Sequence, residues 1–258
     1  MIPDFLTKVF PDGRRHSAGL LIALAMGLPA VSIAQADNFV FQSAASASAD
    51  LSLQTVSETN LTVTLLSGLL SIERDMLLGQ LFLQDGLVST EGSHFTHPRK
   101  ELYSTIKEDL LAAGVPDLEP LLIALEGATD KIAVNEAYLN VIGAVKLAKQ
   151  TLKPADQDLL AAMILTTEEA AAMIDASGTT DIIPYQESWG LLMIARSALD
   201  TLMGAEDPAV KKSAEGMAAA FEGVIMALPD PAASAPVVFD PAILQALIAV
   251  LNGSVSET

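Results

Sequence analysis

Residues 65–83 read LLSGLLSIERDMLLGQLFL, and this segment decides the predicted fold class. Its apolar residues recur near the 3.6-residue period of an α-helix, and not at every second position as in a strand. The positions that carry this period are Leu65, Leu69, Ile72, Met76 and Leu83. We therefore predict a helix over residues 55–83.

The segments that follow repeat this pattern, and proline and glycine mark their ends. Pro98 suits the first turn of a helix, where its missing N–H leaves no hydrogen bond unmade, and Gly114 ends that helix. Further helices are predicted to end near residue 125 and to span about residues 130–152, 154–178, 185–203, 208–228 and 242–251. The sequence Thr166-Thr167-Glu168 favours a break inside 154–178, since threonine caps helix starts. The run Val237-Val238-Phe239 is too short to predict a strand.

The composition indicates the same fold class. Apolar residues make up 51% of the chain and aromatic residues only 5%. The apolar content is mostly Ala, Leu, Ile, Val and Met, and Ala, Leu and Met lose little entropy in a helix. Short connections favour antiparallel neighbours. We predict an all-α protein, an antiparallel up-and-down bundle of about seven or eight helices.

Residues 1–36 carry the three parts of a secretory signal peptide. Arg14-Arg15 contributes to a basic start, residues 18–28 are apolar, and Ala34-Gln35-Ala36 is a small-x-small end. The apolar run is shorter than the roughly 20 residues that span a bilayer. We expect cleavage after Ala36, a bacterial periplasmic or secreted location, and no membrane span in the mature chain.

The rest of the chain is predicted to form three segments. Residues 37–228 form the helical bundle domain. Residues 229–240 contain three prolines and are predicted to be a linker. Residues 241–258 form a short C-terminal helix and a tail.

Charge and residue types exclude several classes of function. The net charge is −18, with 14 basic against 32 acidic residues, so the surface repels nucleic-acid phosphates and anionic lipids. This sequence has no cysteine, which excludes disulfides, thiol nucleophiles and covalently attached haem. It has no phosphate-binding loop, dinucleotide fingerprint or G-x-S-x-G motif. We therefore expect no nucleic-acid partner.

The candidate functional site begins at His94 and His97, two of the three histidines of the chain. The third, His16, lies in the predicted signal peptide. Two neutral imidazoles beside a carboxylate are a common ligand set for a transition metal, and Glu101 lies one turn into the helix that Pro98 starts. The positive end of that helix lowers the pKa of nearby histidines, which favours the neutral form that binds metals.

Two further glutamates are candidates for the same ligand shell. Glu73 and Glu187 each lie among apolar residues at helical spacings, where an unpaired carboxylate is costly to bury. Inward-facing glutamates on bundle helices, completed by histidine, build the sites of helical carboxylate metal proteins. We predict one metal shell of His94, His97, Glu101, Glu73 and Glu187, which would hold Zn, Cu or Fe.

The same residues have a structural interpretation that the sequence leaves open. His94 and His97 are also suited to capping a helix and bonding backbone carbonyls. Glu73 is suited to pairing with a basic residue, and Glu101 and Glu187 to the positive end of a helix start. The spacing H-x-x-H is not specific, and both the paired E-x-x-H of ferritin-like bundles and the H-E-x-x-H of zinc proteases are absent.

We predict from these patterns that the mature protein binds a transition metal, or a small metal-bearing ligand, at this His/Glu site. Binding is favoured over catalysis, because no separate acid, base or nucleophile lies beside the candidate ligands. The alternative is a metal-free periplasmic module whose helices bind a partner protein. A metal-dependent enzyme is the third hypothesis.

Overall fold

The structure is a computed structural model that describes residues 49–82 and 94–255, with side chains from residue 61 onward. The chain divides into two compact units, Met1–Leu53 and Gln54–Thr258. Only residues 49–53 of the first unit are described, as the start of a helix. The predicted signal peptide, with its cleavage after Ala36, lies outside the described residues.

The described residues form eight α-helices, which confirms the predicted all-α class. They are α1 (Ala49–Leu81), α2 (Ser104–Ala112), α3 (Glu119–Glu126), α4 (Lys131–Leu152), α5 (Asp156–Ala172), α6 (Ile182–Leu202), α7 (Pro208–Ile225) and α8 (Ala242–Val255). A 3₁₀ turn, His94–Thr96, and a π-helical segment, Pro98–Tyr103, lead into α2. Within these limits no helix is both long enough and apolar enough to cross a membrane.

Several helix ends lie where the sequence signals placed them. The Asp130 carboxylate accepts hydrogen bonds from the first free N–H groups of α4, and Asp207 does the same for α7. Gly114 follows α2 with a φ of 82°, a left-handed conformation that glycine adopts without steric cost. Local capping chemistry therefore sets these boundaries, and the sequence displays it directly.

The structure differs from the sequence-based prediction at several places. Helix α5 ends at Ala172 and not near residue 178, and α6 begins at Ile182 and not at residue 185. Helix α5 also runs through Thr166 and Thr167 without a break. Both side chains are buried, and the Thr167 hydroxyl donates to Met163 O of the same helix at 2.7 Å. A further difference is a small antiparallel sheet of β1 (Thr179–Thr180) and β2 (Val237–Val238). Two residues per strand are too few to show an alternating pattern in the sequence.

Helix α1 contributes to one of the two large apolar cores and to a small cluster beside α5. The first core joins α1 to the segments between residues 94 and 152, and its buried members include Leu69, Met76, Phe95, Leu110 and Val145. The second core is built from α5 to α8 and includes Leu160, Leu192, Met217, Phe221 and Leu247. Leu66 and Leu70 of α1 pack on Ala162 of α5. Helix α1 therefore buries apolar side chains on more than one side.

The proline-containing segment 229–236 is bonded to the first turns of α6. The Tyr185 hydroxyl donates to Pro229 O at 2.6 Å, and Gln186 Nε2 donates to Pro231 O at 2.9 Å. Beyond this segment, α8 buries Leu244 and Leu247 in the same core as α5 to α7. The last helix therefore packs on its own chain.

Candidate metal site

Helix α1 brings the consecutive residues Glu73, Arg74 and Asp75 into different surroundings, because successive side chains point about 100° apart around a helix. Asp75 is fully buried and Arg74 is 5% exposed. Arg74 Nε and Nη2 donate to Asp75 Oδ1 at 2.9 and 2.8 Å. The other carboxylate oxygen, Asp75 Oδ2, has no hydrogen-bond partner among residues 49–82 and 94–255. Leaving such a group unbonded costs about 1–3 kcal/mol, so this oxygen needs an explanation.

The histidine segment is held against α1 by Phe95. A Cβ atom on Gly79 would lie 2.5 Å from the Phe95 ring, so this close approach requires glycine. The turn that buries Phe95 also buries His94 and leaves His97 partly buried. The two imidazole rings meet edge to face, with centroids 5.5 Å apart.

These contacts gather three potential metal ligands at one place. Asp75, His94 and His97 each offer one ligand atom, and the three atoms all lie within 4.8 Å of one another. The atoms without hydrogen-bond partners include Asp75 Oδ2, His94 Nδ1 and His97 Nδ1. Each member of the cluster therefore has an unpaired acceptor or donor in a place with little access to water.

Helix α6 lies beside this cluster. A Cβ atom on Gly190 would lie 2.8 Å from Arg74 Cγ, so the two helices approach closely at that level. A hydrogen bond between the side chains of Gln186 and His94 favours the protonated form of His94. Within the part of the chain that the structure describes, the buried Nδ1 atom of His94 has no hydrogen-bond partner. Such an outer hydrogen bond fixes the tautomer of a metal-binding histidine.

Burial shifts the protonation of two members of the cluster. It raises the pKa of Asp75 from 3.8 to about 6, although the Arg74 guanidinium opposes this. It lowers the pKa of His94 from 6.5 to about 4, and the nearby His97 adds to the effect. The sequence predicted the direction for His94, but burial and not the helix start is the main cause.

The structure brings some of the predicted ligands together and directs others elsewhere. Glu187 Oε1 lies 4.0 Å from His97 Nδ1, at the border of the cluster. Both oxygens of Glu73 instead accept from Lys149 Nζ, at 2.7 and 2.8 Å. Glu101 is exposed and is not part of the cluster. His97 occupies the N-cap position of the π-helical segment, but its side chain makes no capping hydrogen bond.

Sequence reasoning missed Asp75. The available signal was its spacing, since Asp75 lies three residues from Ile72 and from Leu78, both of which are buried. Glu73 has similar apolar neighbours, because α1 buries apolar side chains on more than one side. Spacing alone could not tell which of the two carboxylates faces the histidines.

The cluster has the donors that a transition metal prefers. Two imidazoles and one carboxylate are known ligand sets of zinc and of non-haem iron. Atoms that bind zinc tetrahedrally at the usual bond lengths lie about 3.4 Å from one another. The ligand atoms of the cluster lie up to 4.8 Å apart, so two atoms at that limit would have to approach each other by about 1.4 Å. Side-chain rotation covers such a distance.

Comparisons with known proteins identify no relative. Neither a protein-family model, nor a curated protein, nor a solved structure matches this chain. The functional argument therefore depends on the site alone.

Proposed function

We propose that this is an exported protein that binds a transition-metal ion through Asp75, His94 and His97, with Glu187 beside the ion. In this proposal the protein binds or sequesters the metal and does not catalyse a reaction. Cleavage of the signal peptide would deliver it to the periplasm, where its helices would form an antiparallel up-and-down bundle.

One observation carries the proposal. One aspartate on α1 and two histidines that follow that helix have ligand atoms within 4.8 Å of one another. Each of the three also has a buried polar atom without a hydrogen-bond partner. A bound cation would satisfy these atoms together, since it accepts lone pairs from carboxylate and imidazole alike.

Charge also favours a cation here. Arg74 neutralises one charge of the cluster, and Glu187 adds a negative charge at its border. The fourth coordination position would then be filled by Glu187 or by water. Zn²⁺, Cu²⁺ and Fe²⁺ all accept this donor set, so we include each of them in the test.

The test measures bound metal and metal-dependent stability in the full chain purified from the periplasm. Elemental analysis should find about one metal ion per chain, and adding that metal at 100 times its Kd should stabilise the native state by about 2.7 kcal/mol. Replacing His94 and His97 by alanine should abolish both effects. If Zn, Cu, Fe and Mn all fail to copurify and to raise the melting temperature, the proposal is wrong. Mass spectrometry of the same sample tests cleavage after Ala36.

A matched control separates the cluster from the larger shell predicted from sequence. Glu73→Gln removes a carboxylate on the same helix turn as Asp75, but Glu73 is bonded to Lys149. The variant should bind metal as the wild type does, whereas Asp75→Asn should weaken binding. If Glu73→Gln weakens metal binding as much as Asp75→Asn does, Glu73 is also a metal ligand.

The alternative function, a metal-free module that binds another protein, is supported by a separate observation. Helix α4 exposes Ile132, Leu139 and Leu147, which are 73%, 48% and 51% exposed. Their spacings of seven and eight residues place them along one strip of the helix. Under this alternative no metal copurifies, and serine substitutions at Ile132 and Leu139 reduce the binding of a protein partner.

A further inference from the structure

A second candidate site lies nearer the start of α1 than the metal cluster does, in a cavity of about 330 Å³. The cavity is bounded by α1, by the segment that contains Leu102 and Ile106, and by α5 with the residue after it, Met173. Its size is at the lower end of the range for small-molecule pockets, roughly 300–1,000 Å³. Thr105 at its border is exposed, so the cavity reaches the surface.

The lining of this cavity has an apolar part and an acidic part. Leu102, Ile106 and Met173 provide hydrocarbon surface, whereas Ser71 and Glu169 provide polar atoms. A ligand that fits both parts has an apolar body and one charged end. The sign of the charge on that end of the ligand depends on which charged group of the cavity lacks a partner.

The carboxylate of Glu169 lacks a cationic partner. Glu73, Glu119, Glu126 and Glu187 are also partly buried, and each of them has a basic side chain within ion-pair distance. Within residues 61–82 and 94–255, Glu169 is the one partly buried glutamate for which no such pair is formed. A carboxylate held away from water gains most from a charged donor.

The hydroxyl groups around Glu169 satisfy it only weakly. Ser67 Oγ and Ser71 Oγ lie 3.3 Å from its two oxygens, long distances for O–H···O bonds. Each serine has one hydroxyl proton, and the Ser71 hydroxyl has a closer acceptor in Ser67 O at 3.1 Å. A donor arriving in the cavity therefore meets a carboxylate with unused acceptor capacity.

The arginine at the cavity wall does not reverse this charge preference. Arg74 lines the cavity, but its Nε and Nη2 atoms donate to the Asp75 carboxylate. Its positive charge is thus matched within the protein. The charge without a partner at the cavity is that of Glu169, which selects a cation.

We propose that this cavity binds a small organic ammonium ion, whose nitrogen donates to Glu169 and whose hydrocarbon body packs on Leu102, Ile106 and Met173. The strongly negative protein, with a net charge of −18, also raises the local concentration of cationic ligands. None of the three metal-site residues lines the cavity, and the two sites share only Arg74, which lines the cavity and bonds Asp75.

The test uses butylammonium as the probe, titrated into the full-length chain and followed by ligand-observed NMR. A probe of this size should bind with a Kd of about 1 mM. Butyrate and 1-butanol share its hydrocarbon body without the positive charge, and neither should compete. Glu169→Gln should weaken butylammonium binding by at least about tenfold, because it removes a charged hydrogen bond.

Glu168→Gln is the matched control, since Glu168 is the neighbouring glutamate of α5 but is exposed and does not line the cavity. It should bind butylammonium as the wild type does, and circular dichroism should show both variants folded. The proposal is overturned if butylammonium does not bind, if the two variants bind it equally well, or if butyrate binds as tightly. If Zn²⁺ or K⁺ displaces bound butylammonium, the proposal is also overturned, and the cavity is a site for an inorganic ion.

Discussion

Two neighbouring carboxylates of α1 differ in how completely the protein satisfies them. Glu73 accepts from Lys149 with both oxygens, and the two side chains are 16% and 25% exposed. Asp75 is completely buried, uses only Oδ1 to bond Arg74, and has an unpartnered Oδ2. Glu73 and Asp75 are thus only two positions apart on one helix, but Glu73 is fully bonded to its partner and Asp75 has one unbonded oxygen.

The contrast teaches that burial of a charge and satisfaction of a charge are separate properties. Water still reaches the Glu73 pair, so its contribution to stability is small in either direction. Burial removes water from both Arg74 and Asp75, and the attraction between their charges offsets only part of that desolvation cost. Fold stability alone does not account for the free oxygen, whereas the proposed cation between Asp75, His94 and His97 would.

The largest predicted effect comes from breaking the buried pair. Arg74→Met keeps most of the side-chain volume but leaves the Asp75 charge without compensation. We expect it to lower the free energy of unfolding by about 3–5 kcal/mol at neutral pH, measured by urea denaturation. The loss should be smaller near pH 5, where Asp75 takes up a proton. A loss below about 1 kcal/mol at neutral pH would mean that Asp75 is better solvated than the structure indicates.

The next effect is a dependence on pH, obtained with Asp75→Asn. Burial raises the pKa of Asp75 from 3.8 to about 6, so the folded protein binds this proton more tightly than the unfolded chain. The resulting stability is fully present below pH 3.8 and is lost as the pH rises through about 6. Asparagine does not titrate. The stability of the variant relative to wild type should therefore fall by about 3 kcal/mol as the pH is lowered from about 7 to 3.

His94, in the same cluster, has a pKa shift of the opposite direction. The pKa of His94 is lowered to about 4, so its contribution to stability is lost as the pH falls from 6.5 towards 4. This is opposite in sign to the contribution of Asp75, and the two offset each other in the wild type. Parallel stability curves for wild type and Asp75→Asn between these pH values would contradict the raised pKa of Asp75.

The smallest effect is expected at the satisfied pair. Lys149→Met should change the free energy of unfolding by no more than about 1 kcal/mol, because both partners remain accessible to water. A double-mutant cycle with Glu73→Gln measures the coupling of the two side chains directly. A cost as large as that of Arg74→Met would remove the contrast between the two pairs.

The sequence predicted the helices well where local chemistry sets their ends. Asp130 and Asp207 cap helices, and Gly114 ends one, because each acts on backbone groups within a few residues. The predicted break at Thr166-Thr167 was wrong for a tertiary reason. Thr166 bonds Ser67 of α1 across the helix interface, and no local pattern reveals that contact.

The site was only partly predictable from the sequence. His94 and His97 were found because the chain has so few histidines, and Glu187 lies within 4.0 Å of His97. Choosing between Glu73 and Asp75 required the rotation of α1 about its axis. Close approaches at Gly79, to Phe95, and at Gly190 of α6, to Arg74 and Leu78, are part of the packing that fixes this rotation.

The dependence of the second core on α8 has a consequence for the timing of folding. Leu160 of α5 and Leu247 of α8 belong to the same buried cluster, and β1 pairs with β2 across a shorter span of sequence. Helix α8 is completed roughly 80 residues after α5. A ribosome adds about 5–20 residues per second. Helix α8, the last helix to pack on α5, is therefore completed roughly 4–16 s after α5. During synthesis the second core therefore stays incomplete until α8 has been made.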